Sequence, residues 1–407
     1  MTTPPPKRSR NAQSPRRVSV EFGISHRLSW RVLRTSSWLR VLLMGARCVK
    51  GKRSRKPDEK PSLADYSIIR SIGRGAFGKV CIVQHRASSK LFAMKYMRKE
   101  RCIRNHTAEN VLKELSILTS LEHPFIVNLQ SSFQDARYMY IVSDLLLGGD
   151  LRYHLIQQGR FKEDRAKLYF CEIALAIDFL HSQNIIHRDI KPDNIILDEA
   201  GHAHLTDFNL ATKLEPGSLA TSFAGTRPYM APEIYAISLG FVPGYDHRID
   251  WYSLGATLHE MLRGRTPYTL SSSLSSQQVL MILRDVPLEL PSDWTNDLIS
   301  FLTCLLSFDA NSRLCTLAGI KKHEYTERID FAWVQSRRAA PTFVPSQHGL
   351  NCDPLYEIEE RVLVSTPIHG RRRGRRTSKC TSGDLDPAEI DALSARFVDY
   401  NRISSIS

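Results

Sequence analysis

The chain has 407 residues, 42% of them hydrophobic and 24% charged, with a formal net charge of +14. This is the composition of a soluble globular protein able to bury a sizeable core. No apolar run, Val41-Leu42-Leu43-Met44 included, approaches the roughly 18 residues that a membrane span needs.

The charge is uneven. Residues 1–60 hold sixteen Lys/Arg against three Asp/Glu, Arg371 to Lys379 holds six more, and the remainder is mildly acidic. Such basic stretches are solvated or drawn to anionic lipid. No nucleic-acid-binding motif accompanies them, so a specific nucleic-acid partner is not expected. The eight cysteines form no C-x-x-C pair, which fits reduced thiols in a cytoplasmic protein rather than a disulfide frame or a zinc site.

In chain order, residues 1–60 are rich in Pro, Ser and Arg and predict a mostly disordered leader. Between Ile24 and Arg47, Trp30, Val32, Leu33, Trp38 and Leu39 mix with Arg27, Arg31, Arg34 and Arg40. A transit peptide has this character, but an extended leader ahead of a start at Met44 is the preferred reading. From Met44, Gly45 would be the acylatable N-terminus, with Cys48 close by and basic residues behind it, although Val49 stands where Ser or Thr is favoured. A lipid chain plus a basic patch gives stable membrane attachment.

From Tyr66 the pattern turns globular. Ser67–Ile72, Val80–Gln84, Leu91–Tyr96 and Tyr138–Val142 read as strands, and Glu109–Leu121, Asp164–Ser182 and Asp250–Arg263 as helices. An α+β, two-lobed domain follows over 66–326, with a small strand-rich lobe at 66–143 and a larger helical lobe at 148–326. The chain from about 327 to 407 reads as an irregular tail.

Several motifs fall on this frame. Gly73, Gly75 and Gly78, with Arg74, Ala76, Phe77 and Lys79 between and after them, join two strands. Lacking Cβ atoms, these glycines let a hairpin backbone lie close over phosphates. Lys95 follows on the next strand, to clamp α/β-phosphates, and Glu114 on the following helix is preferred to Glu109 as its partner carboxylate. Asp189 is the expected base for a hydroxyl proton, and Lys191 a cation for the transferred group. Asn194 and Asp207 offer hard oxygen ligands for Mg²⁺, with Mn²⁺ as the alternative metal. His187 and Phe208 read as packing residues.

The order Gly73–Val80, Ala93-Met94-Lys95, His187–Asn194, Asp207-Phe208-Asn209 and Ala231-Pro232-Glu233 resembles protein kinases of the AGC group. Lys191–Asn194 and Gly225-Thr226 look like serine/threonine kinases. Leu145–Leu155, His204–Ala211 and Leu350–Pro354 resemble the YANK (serine/threonine kinase 32-like) subfamily.

The resemblance implies an ATP site that also takes in Ile72, Val80 and Ala93, a gatekeeper Ser143, a hinge through Asp144 and Leu146, and Asp150. It implies that Asp150, Asp193 and Glu260 read basic residues ahead of the target, that Ser222 is the activation-segment phosphosite, and that Phe397–Asn401 is a hydrophobic motif docking on the small lobe. Asp250 is expected to hold the catalytic-loop backbone and Arg313 to pair with Glu233. Asn209, where Gly is usual, is expected to be strained but usable. The function read from all this is transfer of the γ-phosphoryl of ATP·Mg²⁺ to Ser or Thr of protein substrates, by a monomer that sits at the inner membrane surface when acylated. The rivals are a pseudokinase scaffold and a lipid-surface adaptor.

Overall fold

The computed structural model describes residues 60–74, 78–346, 351 and 387–403. Gly45, Cys48, the loop tip Gly75-Ala76-Phe77 and the basic run at 371–379 lie outside the described residues.

The small lobe holds β1 (Tyr66–Arg74), β2 (Lys79–His85), β3 (Leu91–Arg98), α1 (Lys99–Arg104), α2 (Ala108–Thr119), β4 (Leu129–Gln134) and β5 (Tyr138–Asp144). Successive side chains of a strand face opposite sides of a sheet. Phe92 and Met94 of β3 therefore join Cys81, Val83, Phe133, Tyr140 and Val142 in one buried cluster. Met97 goes to the other side, with Ile141 and the α2 residues Val111, Leu115 and Leu118. Lys95, directly opposite Ile141 in the β3–β5 register, shares that helix-facing side. Spacings of three and four along α2 make its apolar stripe, and Glu114 sits within that buried stripe.

The large lobe contains α3 (Leu151–Gln158), α4 (Glu163–Ser182), β6 (Ile185–Ile186), β7 (Ile195–Leu197), β8 (Ala203–Leu205), β9 (Thr212–Lys213), α5 (Pro232–Ser238), α6 (Arg248–Arg263), α7 (Ser276–Asp285), α8 (Asn296–Leu305), α9 (Leu317–Lys322) and α10 (Phe331–Gln335). Two short antiparallel ribbons, β6–β9 and β7–β8, position the chemistry. Residues 187–194 run from β6 to β7, and 206–211 run from β8 to β9. The two ribbons thus anchor both ends of both loops. Beneath them α6 is buried along nearly its whole length.

The tail departs from the irregular segment expected from the sequence. It contains α10, and further on α11 (Pro387–Arg396) and β10 (Tyr400–Asn401). β10 pairs antiparallel with β4, giving a six-stranded sheet ordered β1-β2-β3-β5-β4-β10. No helix among the described residues is long and apolar enough to cross a membrane.

Candidate active site

Lys95 Nζ lies 2.9 Å from each carboxylate oxygen of Glu114. Burial pushes the Glu114 carboxyl up, and the Lys95 ammonium opposes that shift. Glu109, the rival on the same helix, faces away and meets Arg396 of the tail at 2.5 and 2.7 Å. Val80 stands opposite both Lys95 and Gly73, and Ala93 stands opposite Ser143. Ile72 lies on β1. A Cβ on Gly78 would run into the Tyr96 carbonyl, so glycine is what lets the loop approach β3 there.

Asp189 is nearly buried and fully engaged. Its Oδ2 accepts Lys191 Nζ at 2.7 Å and Asn194 Nδ2 at 2.9 Å. Its Oδ1 accepts the Thr226 hydroxyl at 2.6 Å, and Thr226 Oγ1 in turn accepts Lys191 Nζ at 2.7 Å. Beneath, Asp250 is wholly buried and takes the backbone N–H groups of His187 (2.9 Å) and Arg188 (2.8 Å) and His181 Nε2 (2.9 Å). Burial raises such a carboxyl, but the His181 contact and the amide bonds hold Asp250 below its ordinary value.

Asp207 has left-handed backbone (φ 65°, ψ 75°), and Arg188 has φ 70°. Strain of this kind concentrates at functional sites. The expectation of strain at Asn209 is corrected: it lies in the 3-10 turn Phe208–Leu210 and has no positive φ. Its Nδ2 donates to Asp207 Oδ1, and its own Oδ1 is buried without a hydrogen-bond partner. Asn194 spends its amide N–H on Asp189, keeping its oxygen for another partner. These hard oxygens from Asn194 and Asp207, with an orphaned oxygen beside them, fit a divalent cation. His187 and Phe208 pack against each other, ring centroids 5.0 Å apart.

At the connection between the lobes, the Asp144 carboxylate is turned to β4, accepting from Asn128 and Gln130. Leu146 is half-buried. The Leu147 carbonyl accepts Asn351 Nδ2 at 2.9 Å. Gly149 has φ 78°, and a Cβ there would strike the Asn351 carbonyl. The tail thus clasps the hinge.

The protein kinase domain family model matches residues 66–326, the stretch that carries this constellation. The chain belongs to the protein kinase family. It is 42% identical over 365 residues to human serine/threonine-protein kinase 32B, covering 86% of this chain and 88% of that one. It is 44% identical over 346 residues to human serine/threonine-protein kinase 32C, covering 83% and 71%. A RAC family serine/threonine-protein kinase homolog of Dictyostelium discoideum is 34% identical over 339 residues, covering 81% and 74%. The chain is a serine/threonine protein kinase of AGC type and YANK kind, with the two-lobed kinase fold. As a kinase it uses ATP with a divalent metal and acts on protein substrates.

The three acids expected to read basic residues each have a partner within this kinase. Asp150 caps α3, accepting the Tyr153 N–H at 2.7 Å. Asp193 and Glu260 both bind the kinase's own Arg152, at 3.2 and 2.6 Å. Ser222 meets Arg188, Oγ to Nη1 at 2.5 Å. Arg313 pairs with Glu233 at 2.6 and 2.9 Å.

Sequence reasoning missed three participants. Thr226 entered only as a class marker, and Asn351 only as part of a subfamily match. Arg152 lay in a quoted motif without a role. Each acts across a long separation in sequence, so no local pattern signals it.

Proposed function

We propose that Lys95 and Glu114 position ATP, that Asp189 accepts the proton of the substrate hydroxyl, and that Asn194 and Asp207 hold Mg²⁺. The single observation carrying this is the closed network Thr226–Asp189–Lys191, with Asn194 tied to the same carboxylate. It fixes the carboxylate in one orientation, as a general base requires. Lys191 sits beside the base, where it neutralises charge on the group in transit. When bound, Mg²⁺ supplies charge neutralisation for the phosphates. The domain limits 66–326, with the lobes at 66–143 and 148–326, belong to the same reading.

The test is transfer from labelled ATP to a Ser/Thr peptide library, comparing wild type, Asp207→Ala and Lys95→Met. Transfer by wild type alone supports the assignments, and equal transfer by the folded variants overturns them. Ser222 is proposed as a phosphosite, since phosphate there would pair with Arg188; Ser222→Ala would then lower activity after treatment with an activating kinase. The monomeric state, the cytoplasmic location and membrane attachment through Gly45 and Cys48 are further proposals, the last checked by acyl labelling of protein started at Met44.

A further inference from the structure

One guanidinium joins three elements beside the base. Arg152 lies in the first turn of α3, two residues past the cap Asp150. Its Nε donates to Asp193 at 3.2 Å, and its Nη1 and Nη2 donate to the two oxygens of Glu260 at 2.6 and 3.2 Å. Nη2 also donates to the Tyr229 hydroxyl at 2.5 Å, which itself donates to Glu260 at 2.5 Å. Asp193 belongs to the loop of Asp189 and Asn194, Tyr229 to the turn ahead of α5, and Glu260 to α6. A planar fork matched to a carboxylate is how such acids would hold an arginine supplied by a substrate.

We infer that Arg152 is a specificity-determining residue: it fills from within the place where a basic residue ahead of the target would bind, so that this kinase selects acceptors with neutral or acidic residues there. The inference rests on the reading of Asp189 as the base, which places the cluster beside the acceptor.

Accessibility decides between the internal and the external cation. The Glu260 side chain is only 7% exposed, whereas Arg152 is 29% exposed and Asp193 46%. An incoming guanidinium reaches Glu260 only by displacing Arg152. A tethered group competes at an effective concentration in the millimolar range or above, and displacing it strands a charged group in a partly desolvated place. The part of Arg152 left accessible carries the opposite sign to the one a basic-directed site would offer, and so favours an acidic neighbour. Asp150 does not restore a basic reading, because its carboxylate is committed to the N-terminus of α3.

The experiment is steady-state kcat/KM for two peptides that differ only in Arg or Ala ahead of the target Ser. The full chain is used as wild type, Arg152→Ala and Arg152→Gln. Wild type is expected to use the two peptides about equally or to favour Ala. Both variants are expected to raise the Arg-to-Ala ratio about tenfold or more, the worth of one charge-assisted hydrogen bond. A purely structural Arg152 would instead lower both peptides together and leave the ratio unchanged, which overturns the inference. So does a wild type that already favours the Arg peptide tenfold. If Arg152→Ala fails to fold, Arg152→Gln and the wild-type ratio still decide. Asp189→Asn serves as the separate control: retained transfer would overturn the base assignment, while the ratios for Arg152 are read independently of it.

Discussion

Thr226 donates its hydroxyl to Asp189 at 2.6 Å across 37 residues of sequence. The same oxygen accepts Lys191, so one side chain of the segment leading to α5 fixes both the proposed base and its neighbouring cation. The end of that segment must be in place before Asp189 is aligned.

Thr226→Val is therefore expected to lower kcat about 10- to 100-fold, the range for losing a hydrogen bond to a charged group, with KM for ATP little changed. Thr226→Ser should keep most of the rate. Initial-rate kinetics beside a melting curve checks this; equal losses for Val and Ser would mean that the hydroxyl is not what matters.

Asn209 holds one oxygen of Asp207. Asn209→Gly removes that competitor and also loosens the turn Phe208–Leu210. Titrating Mg²⁺ at saturating ATP should give a lower half-maximal metal concentration for Asn209→Gly, with turnover within a few-fold of wild type. A sharp rise in turnover would instead show that Asn209 restrains catalysis.

Tail docking is the next expectation. Phe397 is 5% exposed and joins the core cluster that includes Val111 and Leu115 of α2. Lys99 Nζ donates to Ser394 Oγ at 2.7 Å, and Ser132 Oγ to the Val398 carbonyl at 2.7 Å. Phe397→Ala should cost about 3 kcal/mol, lowering the melting temperature on the order of 5 °C, and should weaken activity through α2. Reversing Arg396 to Glu should reduce activity modestly, with recovery when Glu109→Arg is added. Unchanged melting and rate after deleting residues 390–407 would rule out docking.

His123 gives the enzyme an acid limit. Burial, with His204 close by, pushes its imidazole down to about 4, and its Nδ1 accepts the Phe125 N–H at 3.2 Å. The folded form favours neutral imidazole, whereas the unfolded chain takes up its proton near pH 6.5. The stability is thus complete above about pH 6.5 and is lost as pH falls towards 4, by about 3 kcal/mol. Melting temperature against pH should fall less steeply on the acid side for His123→Asn, which keeps an acceptor without the titration. Parallel curves would remove His123 from this role.

The legible parts of the molecule were those that motifs and periodicity encode. The α2 pattern pointed to Glu114 because Leu118, one turn later, could face the core beside it, and Glu114 is indeed buried there. Asp250 and Arg313 were placed by resemblance and meet the partners expected of them. Contacts across the fold were not readable in the same way. Asp193 and Glu260 have the right identity for reading a basic residue, yet only the folded chain reveals that Arg152 has reached them first. The positive φ falls on Asp207 rather than Asn209 because the turn after Asp207 closes as a 3-10 helix. α11 and β10 were unreadable as elements because their apolar residues are few and their partners lie more than 250 residues away.

The pairing of β10 with β4 also puts a clock on synthesis. Ser132 and Val398 are joined across 266 residues, so the small-lobe sheet has an open edge until Tyr400 and Asn401 emerge. At 5–20 residues per second that wait is on the order of 10 to 50 s. During it the backbone of β4 is an unpaired template for another chain. A nascent kinase therefore passes through an interval with its nucleotide-binding lobe unfinished, and Tyr400 and Asn401 are the residues that close it.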